Sequence, residues 1–149
     1  MNILVLNGPN MNLLGIRQPE LYGRASYADL QALLLQEADR LGAQLRFVQS
    51  NHEGALVDAI QQAYFDRMDG IIFNPAAYTH TSIALLDALK AVGLPTVEVH
   101  CSDPDSREPF RRVSYVREAC VKTIKGHGLD GYVEALRYLC SRGTPGTPV

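Results

Sequence analysis

Short apolar segments alternate along the chain with longer segments in which apolar residues recur every three or four positions. Segments of the first kind predict β-strands, and segments of the second kind predict amphipathic helices. The predicted strands are Ile3–Leu6, Leu45–Val48, Gly70–Phe73, Thr96–Val99 and approximately Ala119–Ile124. Because helical segments separate most of these strands, the pattern predicts an α/β fold built on a parallel sheet.

Local signals predict where the helices begin and end. Ser26 and Asp29 have the spacing of a capping box at the start of the first helix, and Gly42 follows its end. Ser50 and Glu53 have the same spacing before the second helix. Each of these two helices therefore has a predicted start signal in the sequence.

The composition fits one globular domain. A chain of 149 residues with 46% hydrophobic residues can bury a sizeable core. We expect a single domain over residues 1–142 and a disordered tail over residues 143–149, because GTPGTPV cannot continue a helix. A net charge of −2 argues against broad binding of nucleic acid.

The cellular setting follows from the N-terminus and the cysteines. The segment MNILVLNGPN has neither a basic leader region nor a long apolar segment, so we expect no membrane span and a cytoplasmic location. Three cysteines without CxxC spacing fit reduced thiols and predict no structural metal. No GxGxxG follows the first predicted strand and GxxxxGK[ST] is absent, so no nucleotide site of those types is expected.

Polar residues follow three of the predicted strands. In open parallel sheets, ligands bind beyond the carboxyl ends of the strands, where the strand order reverses. If the strand order is 2-1-3-4-5, the first, third and fourth strands are neighbours. Their following segments would then bring together Asn10, Asn74, His80, His100 and Ser102.

The fourth strand contains a carboxylate and a histidine two positions apart. Glu98 and His100 project to the same face of a strand and can touch, whereas Cys101 points to the other face. A salt bridge for Glu98 and a backbone partner for His100 are the ordinary alternatives. A carboxylate beside an imidazole stabilises the protonated ring, so the pair favours a general acid. Cys101 is interpreted as a small buried hydrophobe.

An exposed loop, GIRQPELYGR at residues 15–24, is expected above this crevice. A tyrosine in such a loop usually serves packing. If Arg17 lies within about 4 Å of the Tyr22 phenol, its positive charge favours the phenolate and allows Tyr22 to act as a general base. Closure of the loop would strengthen this effect by expelling water.

Several charged residues keep two interpretations open. Arg107 and Arg111 lie four positions apart, so they either form a solvated surface or bind an anionic substrate group. For Asp87, a salt bridge to a neighbouring helix or subunit is the default. His52 and His127 are interpreted as structural or surface residues.

Five segments in order, NGPNMNLLGIRQPELYG, SNHEG, NPAAYTHTSIALLDAL, VEVH and REPFRRVSY, closely resemble the type II 3-dehydroquinate dehydratase family over about residues 2–139. The resemblance implies a flavodoxin-like three-layer sandwich with a five-stranded parallel sheet of order 2-1-3-4-5. It also implies a dodecamer built of trimers. The implied reaction is a cofactor-free dehydration of 3-dehydroquinate to 3-dehydroshikimate, in the shikimate or quinate pathway, without metal or Schiff base.

The resemblance also implies catalytic roles. Tyr22 would remove a proton from C2 with its pKa lowered by Arg17, and Asn10 would position a water that stabilises the enolate. His100, oriented by Glu98, would protonate the departing hydroxyl.

Substrate binding is implied for six further residues, namely Asn74, His80, Asp87, Cys101, Ser102 and Arg111. In this resemblance Asn74 would help hold His100, and the backbone amides of Cys101 and Ser102 would bind the carboxylate. His80 and Arg111 would contact ring hydroxyls. Asp87 would reach across a trimer interface into the neighbouring site.

The sequence departs from the family pattern at residues 103–105, Ala76 and two lysines, Lys122 and Lys125, in the predicted fifth strand. An ionised Asp103 facing the crevice would repel an anionic substrate. One alternative is therefore a divergent paralogue with a different small ligand, and another is an interaction module without chemistry. The complete set of catalytic residue types argues against the second alternative.

Overall fold

The computed structural model describes residues 1–16, 18, 20 and 23–143, which form a five-stranded sheet flanked by helices. The strands are β1 (Asn2–Asn7), β2 (Gln44–Gln49), β3 (Gly70–Asn74), β4 (Thr96–His100) and β5 (Lys122–Lys125). All neighbouring strands pair in parallel, and their order is β2-β1-β3-β4-β5. This order confirms the predicted sheet.

Four α-helices in the described residues cover the two faces of the sheet: α1 (Tyr27–Leu41), α2 (Glu53–Phe65), α3 (Ile83–Val92) and α4 (Asp130–Arg142). One apolar core lies between the sheet and the pair α1 and α4, and the second lies between the sheet and the pair α2 and α3. The result is a flavodoxin-like three-layer α/β sandwich. The central strands β1, β3 and β4 are buried almost throughout, as expected for strands covered on both faces.

The start of α1 agrees with the prediction, and the start of α2 does not. Ser26 Oγ accepts from the Asp29 amide at 3.1 Å, and Asp29 returns the bond to the Ser26 amide at 2.9 Å. At α2 the residue before the helix is His52, and Ser50 Oγ accepts from the His52 amide at 3.0 Å instead of capping the helix. The capping box predicted for Ser50 and Glu53 was therefore wrong.

Strand β5 begins later than predicted. Of the residues predicted as its first half, Ala119 ends a 3₁₀ turn, Val116–Ala119, and Cys120 and Val121 precede the strand. Val116 of this turn is fully buried against the second core. The remaining strand pairs only with β4 among the described residues, and Ile124 is its one buried residue. Lys122 and Lys125 are therefore tolerated because β5 is an edge strand.

Some predictions concern residues outside the described part of the chain. These are the roles of Arg17 and Tyr22 and the disorder of the tail from residue 144 onward.

Candidate active site

A cavity opens at the carboxyl ends of β3 and β4, as expected for an open parallel sheet. Six of the predicted site residues line it: Asn74, His80, His100, Cys101, Ser102 and Arg111. Met11, Ala76, Pro104 and Arg107 contribute further walls. The structure therefore brings most of the predicted site together at one place.

Glu98 and His100 are in contact, as their spacing on the strand predicted. His100 Nε2 lies 2.6 Å from Glu98 Oε1, and both side chains are buried. An ionised carboxylate can only accept, so Nε2 carries the proton of this bond. Nδ1 is then the ring nitrogen left for a molecule in the cavity.

Three further side chains hold the Glu98 carboxylate. Ser114 Oγ donates to Oε1 at 2.7 Å, and Thr123 Oγ1 donates to Oε2 at 3.0 Å. Arg117 donates from Nε to Oε2 at 3.0 Å and from Nη2 to Oε1 at 3.3 Å. Burial raises the pKa of Glu98, but the bonds from His100, Arg117 and Ser114 outweigh it and lower that pKa to about 2. The carboxylate is therefore ionised at neutral pH.

These three donors were absent from the predicted site. Thr123 lay within the predicted fifth strand and is the register partner of Glu98, but the register between two strands was not predicted. Ser114 and Arg117 come from the segment between the cavity wall and β5, and no pattern in the sequence relates them to Glu98.

Asn74 is fixed by a buried chain of hydrogen bonds. Its Nδ2 donates to Tyr132 Oη at 2.9 Å, and Tyr132 Oη donates to Asn7 Oδ1 at 2.6 Å. Its Oδ1 accepts from the Ala76 amide at 3.0 Å. Burial raises the pKa of Tyr132 well above its ordinary value, so the phenol stays protonated. The side chain of Asn74 is thus oriented by Tyr132 and Ala76, rather than by the bond to His100 that the resemblance suggested.

Ala76 lines the cavity in a left-handed backbone conformation, with φ of +54°. This conformation is costly for a residue with a Cβ atom. The turn Ala76–His80 and the bond from the Ala76 amide to Asn74 hold it in place. The strain expected for alanine at this position is therefore present.

His80 presents one ring nitrogen to the protein and one to the cavity side. Its Nδ1 lies 2.7 Å from the Val113 carbonyl oxygen, which can only accept, so Nδ1 carries a proton. Burial, with the charges of His100, Arg111 and Arg107, lowers the pKa of His80 despite the bond to Val113. The neutral ring leaves Nε2 as an acceptor.

Two arginines give the cavity a basic wall. Arg111 Nε donates to Glu108 Oε2 at 2.7 Å, and its guanidinium lies 5.1 Å from the centre of the Phe110 ring. Arg107 follows the turn Pro104–Ser106, and Arg111 lies in the next turn, Pro109–Arg112, so the two arginines lie on different turns. Both nevertheless line the cavity.

Cys101 and Ser102 contribute the floor of the cavity where β4 ends. Their carbonyl oxygens accept from the amides of Gly128 at 2.9 Å and Gly126 at 3.1 Å, respectively, which fixes this segment of backbone. Burial raises the pKa of Cys101 to about 11. The thiol is therefore inert near neutral pH, as expected for a small buried hydrophobe.

The acidic segment after Ser102 turns towards β5. Lys125 forms an ion pair with Asp105, and its Nζ lies 4.0 Å from Asp103 Oδ1. Only Pro104 of residues 103–105 lines the cavity, and this residue is buried. The hydrogen bond from Lys125 lowers the pKa of Asp105. The two acids thus have a cationic partner outside the cavity.

Besides Glu98, which contacts His100 from outside the cavity, two of the described predicted site residues lie outside the cavity lining: Asn10 and Asp87. The Asn10 amide donates to Asn51 Oδ1 at 3.0 Å, and Asn10 has a φ of 68°. Its neighbour Met11 lines the cavity instead, so the predicted convergence is incomplete at this residue. Asp87 is exposed on α3.

Among the described residues, no group of three or more His, Cys, Asp or Glu side chains is placed to hold a metal ion. No helix in the described part of the chain is long and apolar enough to cross a membrane.

The comparisons with known proteins agree with one another. The family model described as dehydroquinase class II matches residues 1–140. A 3-dehydroquinate dehydratase 1 of Ralstonia nicotianae is 52% identical over 141 residues, or 95% of this chain and 90% of that protein. A catabolic 3-dehydroquinase of Pyricularia oryzae is 50% identical over 141 residues, or 94% and 90% of the two chains.

Solved structures show the same relationship. The crystal structure of a type II dehydroquinase from Butyrivibrio crossotus superimposes with a TM-score of 0.92 at 45% identity, covering 93% of this chain and 97% of that chain. Family model, relatives and fold coincide over nearly the whole length. The chain therefore belongs to the dehydroquinase class II family.

Proposed function

We propose that this protein dehydrates 3-dehydroquinate to 3-dehydroshikimate without a cofactor. The observation that supports this most directly is the buried pair of Glu98 and His100 at a cavity with a basic wall. Relatives about half identical to this chain are named for the same substrate. The reaction needs a base, a group that stabilises an enolate, and an acid for a poor leaving group.

The proposed reaction removes one molecule of water from the substrate. A base removes a proton from C2, and the electron pair of that bond moves into the ketone at C3 to form an enolate. When the enolate collapses, the C1 hydroxyl leaves with a proton and a double bond forms between C1 and C2. In this proposal His100 supplies that proton, and ionised Glu98 orients the ring and stabilises its charge.

We assign the base to Tyr22, with Arg17 favouring its phenolate, and enolate stabilisation to a water held by Asn10. These assignments rest on the family resemblance, since Arg17 and Tyr22 lie outside the described residues. Asn10 adjoins the cavity through Met11.

The cavity side chains suit a polyhydroxylated carboxylate. We propose that the backbone amides of Cys101 and Ser102 bind the carboxylate, with the Ser102 hydroxyl beside them. Neutral His80 can accept from a ring hydroxyl through Nε2, and Arg111 can donate to another. Asn74, held by Tyr132, would then contact the substrate from β3.

The geometry does not favour the alternative of a different ligand. That alternative rested on repulsion by the acids at positions 103 and 105. Both acids lie near Lys125, and neither lines the cavity. An anionic substrate is therefore compatible with the segment.

We further propose a dodecamer built of trimers, in which Asp87 contributes to the site of a neighbouring subunit. Large exposed apolar side chains in residues 110–115 and at the start of α3 support an interface. Ile83 is 55% exposed, Phe110 63%, Val113 49% and Tyr115 38%. The chain alone leaves these side chains in water. An assembly would cover them.

The test is the ultraviolet absorbance of the conjugated enone formed from 3-dehydroquinate. We expect wild type to turn over and both His100→Ala and Tyr22→Phe to lose at least about a hundredfold in kcat. His127→Ala is the matched control, because His127 Nδ1 lies 2.9 Å from Glu134 in an exposed pair. Its kcat should equal that of wild type. Absence of turnover by folded wild type would contradict the proposal.

A further inference from the structure

Arg117 holds both oxygens of Glu98 from outside the strand. Its guanidinium donates to Oε2 at 3.0 Å and to Oε1 at 3.3 Å, so it engages the carboxylate with a fork of two donors. The side chain is 38% exposed, whereas Glu98 has no exposed surface. Arg117 thus links solvent to the buried end of the pair.

Oε1 of Glu98 is the oxygen that accepts from His100, and it is also bound by Arg117 and Ser114. If the carboxylate rotated about its last bond, Oε1 would leave His100. Arg117 and Thr123 hold Oε2 on the opposite side and so oppose that rotation. The four donors together fix the plane of the carboxylate.

We infer that Arg117, assisted by Thr123, is a positioning residue that keeps Glu98 ionised and its plane fixed, so that His100 presents Nδ1 to the cavity. The inference rests on the proposed function, since it concerns the rate of the same proton transfer. It assigns Arg117 no contact with substrate, because Arg117 is absent from the cavity lining.

Few titratable groups near Glu98 could change the pH profile of kcat. His100 on the same strand, Arg117 and Cys120 are the titratable groups that the structure shows acting on it. Burial raises the pKa of Cys120 to about 12, so this thiol is neutral in the range of the assay. The register neighbours of Glu98 are Phe73 on β3 and Thr123 on β5, neither of which is charged.

The experiment compares Arg117→Met, Arg117→Lys and Thr123→Val with wild type in the enone assay across pH. Methionine keeps much of the apolar stem and removes the donors. We expect Arg117→Met to lower kcat about tenfold, with KM changed by less than about twofold. Its acid limb should move to higher pH, because the buried carboxylate takes up a proton more readily without its cation.

Lysine restores the charge but supplies no planar fork, so Arg117→Lys should recover part of the kcat and most of the pH profile. Thr123→Val removes one donor to Oε2 and should lower kcat in the same direction by a smaller factor. If Arg117→Met does not fold, these two variants decide the question.

Arg112→Met is the matched control, because Arg112 is an exposed arginine of the neighbouring turn and does not line the cavity. It should retain the wild-type kcat and pH profile. Unchanged kcat and pH profile in folded Arg117→Met and Thr123→Val, even with lowered stability, would overturn the inference while the proposed function stands. Absence of turnover in wild type would instead contradict the proposed function.

Discussion

At position 98, a carboxylate without exposed surface accepts hydrogen bonds from four side chains among the described residues. Its pKa is about 2 in the folded chain against an ordinary value of 4.5. A lowered folded pKa stabilises the fold above the unfolded pKa. This contribution is lost as pH falls from about 4.5 towards 2.

We therefore expect Glu98→Gln to lower the free energy of unfolding at pH 7 by about 3 kcal/mol, because buried donors lose their ionic partner. Its stability should also change less between pH 5 and pH 2 than that of wild type. Denaturant unfolding at one protein concentration measures both. Glu118→Gln, at a carboxylate whose side chain is 68% exposed, should behave as wild type. Equal acid sensitivity of wild type and Glu98→Gln would contradict the linkage.

Ala76 offers a second prediction at the scale of one residue. Its φ of +54° costs about 1–2 kcal/mol for a residue with a Cβ, whereas glycine loses about 0.5–1 kcal/mol more chain entropy on folding. Ala76→Gly should therefore stabilise the fold by up to about 1 kcal/mol in denaturant unfolding. Ala77→Gly is the control, since Ala77 lies in the same turn without positive φ and should destabilise. A loss of stability in Ala76→Gly would contradict the prediction that backbone strain at Ala76 outweighs the chain entropy of glycine.

At the scale of elements, β5 does more than close the sheet. Lys125 ties this edge strand to Asp103 and Asp105, and the segment between those acids contributes Pro104 to the cavity. The pairs are partly exposed, so they add little to the stability of the fold, and their effect is expected on the cavity wall.

We expect Lys125→Met to raise KM by up to about fivefold with little change in kcat, because the cavity wall loosens while the acid and its orienting carboxylate are untouched. The enone assay at low ionic strength measures this. Lys122→Met is the control on the same strand, where the ammonium lies 4.8 Å from the centre of the Tyr138 ring and away from the wall. If both variants shifted KM equally, the ion pairs would have no specific role.

The elements show what a sequence pattern can predict and why. Alternation of apolar strands and amphipathic helices predicted a parallel sheet, because parallel strands need helical connections, whereas the order of the strands was implied by the family resemblance. The contact between Glu98 and His100 was predicted because side chains two positions apart on a strand project to the same face.

The errors have two causes. Some side chains make a different local hydrogen bond from the predicted one, and others contact residues that are distant in the sequence. Ser50 had the spacing of a cap, but its hydroxyl is used two residues on by the His52 amide. Ala119, predicted as the start of the fifth strand, lies at the end of a 3₁₀ turn, which a short apolar run does not distinguish from a strand. Arg117 reaches Glu98 only because the turn folds beside β4, so its partner depends on tertiary structure.

At the scale of the whole molecule, the exposed position of Asp87 permits a role in another subunit. Asp87 is exposed on α3, which begins at the exposed Ile83. Within its own subunit Asp87 does not line the cavity. In a symmetric trimer, the same residue can lie near the cavity of a neighbour.

Co-expression of two inactive subunits tests this arrangement. One subunit carries Asp87→Ala, the other carries His100→Ala, and the tagged mixture is purified and assayed. A site is complete only when the subunit with His100 intact meets a neighbour with Asp87 intact, so random mixing at equal amounts should restore about a quarter of wild-type activity. Co-expression of His100→Ala with Glu98→Gln should restore nothing. Glu98 and His100 of one subunit form one pair, so every subunit in this mixture has a defective pair. If the Asp87→Ala mixture also stays inactive in a correctly assembled oligomer, Asp87 acts within its own subunit and the shared site is excluded.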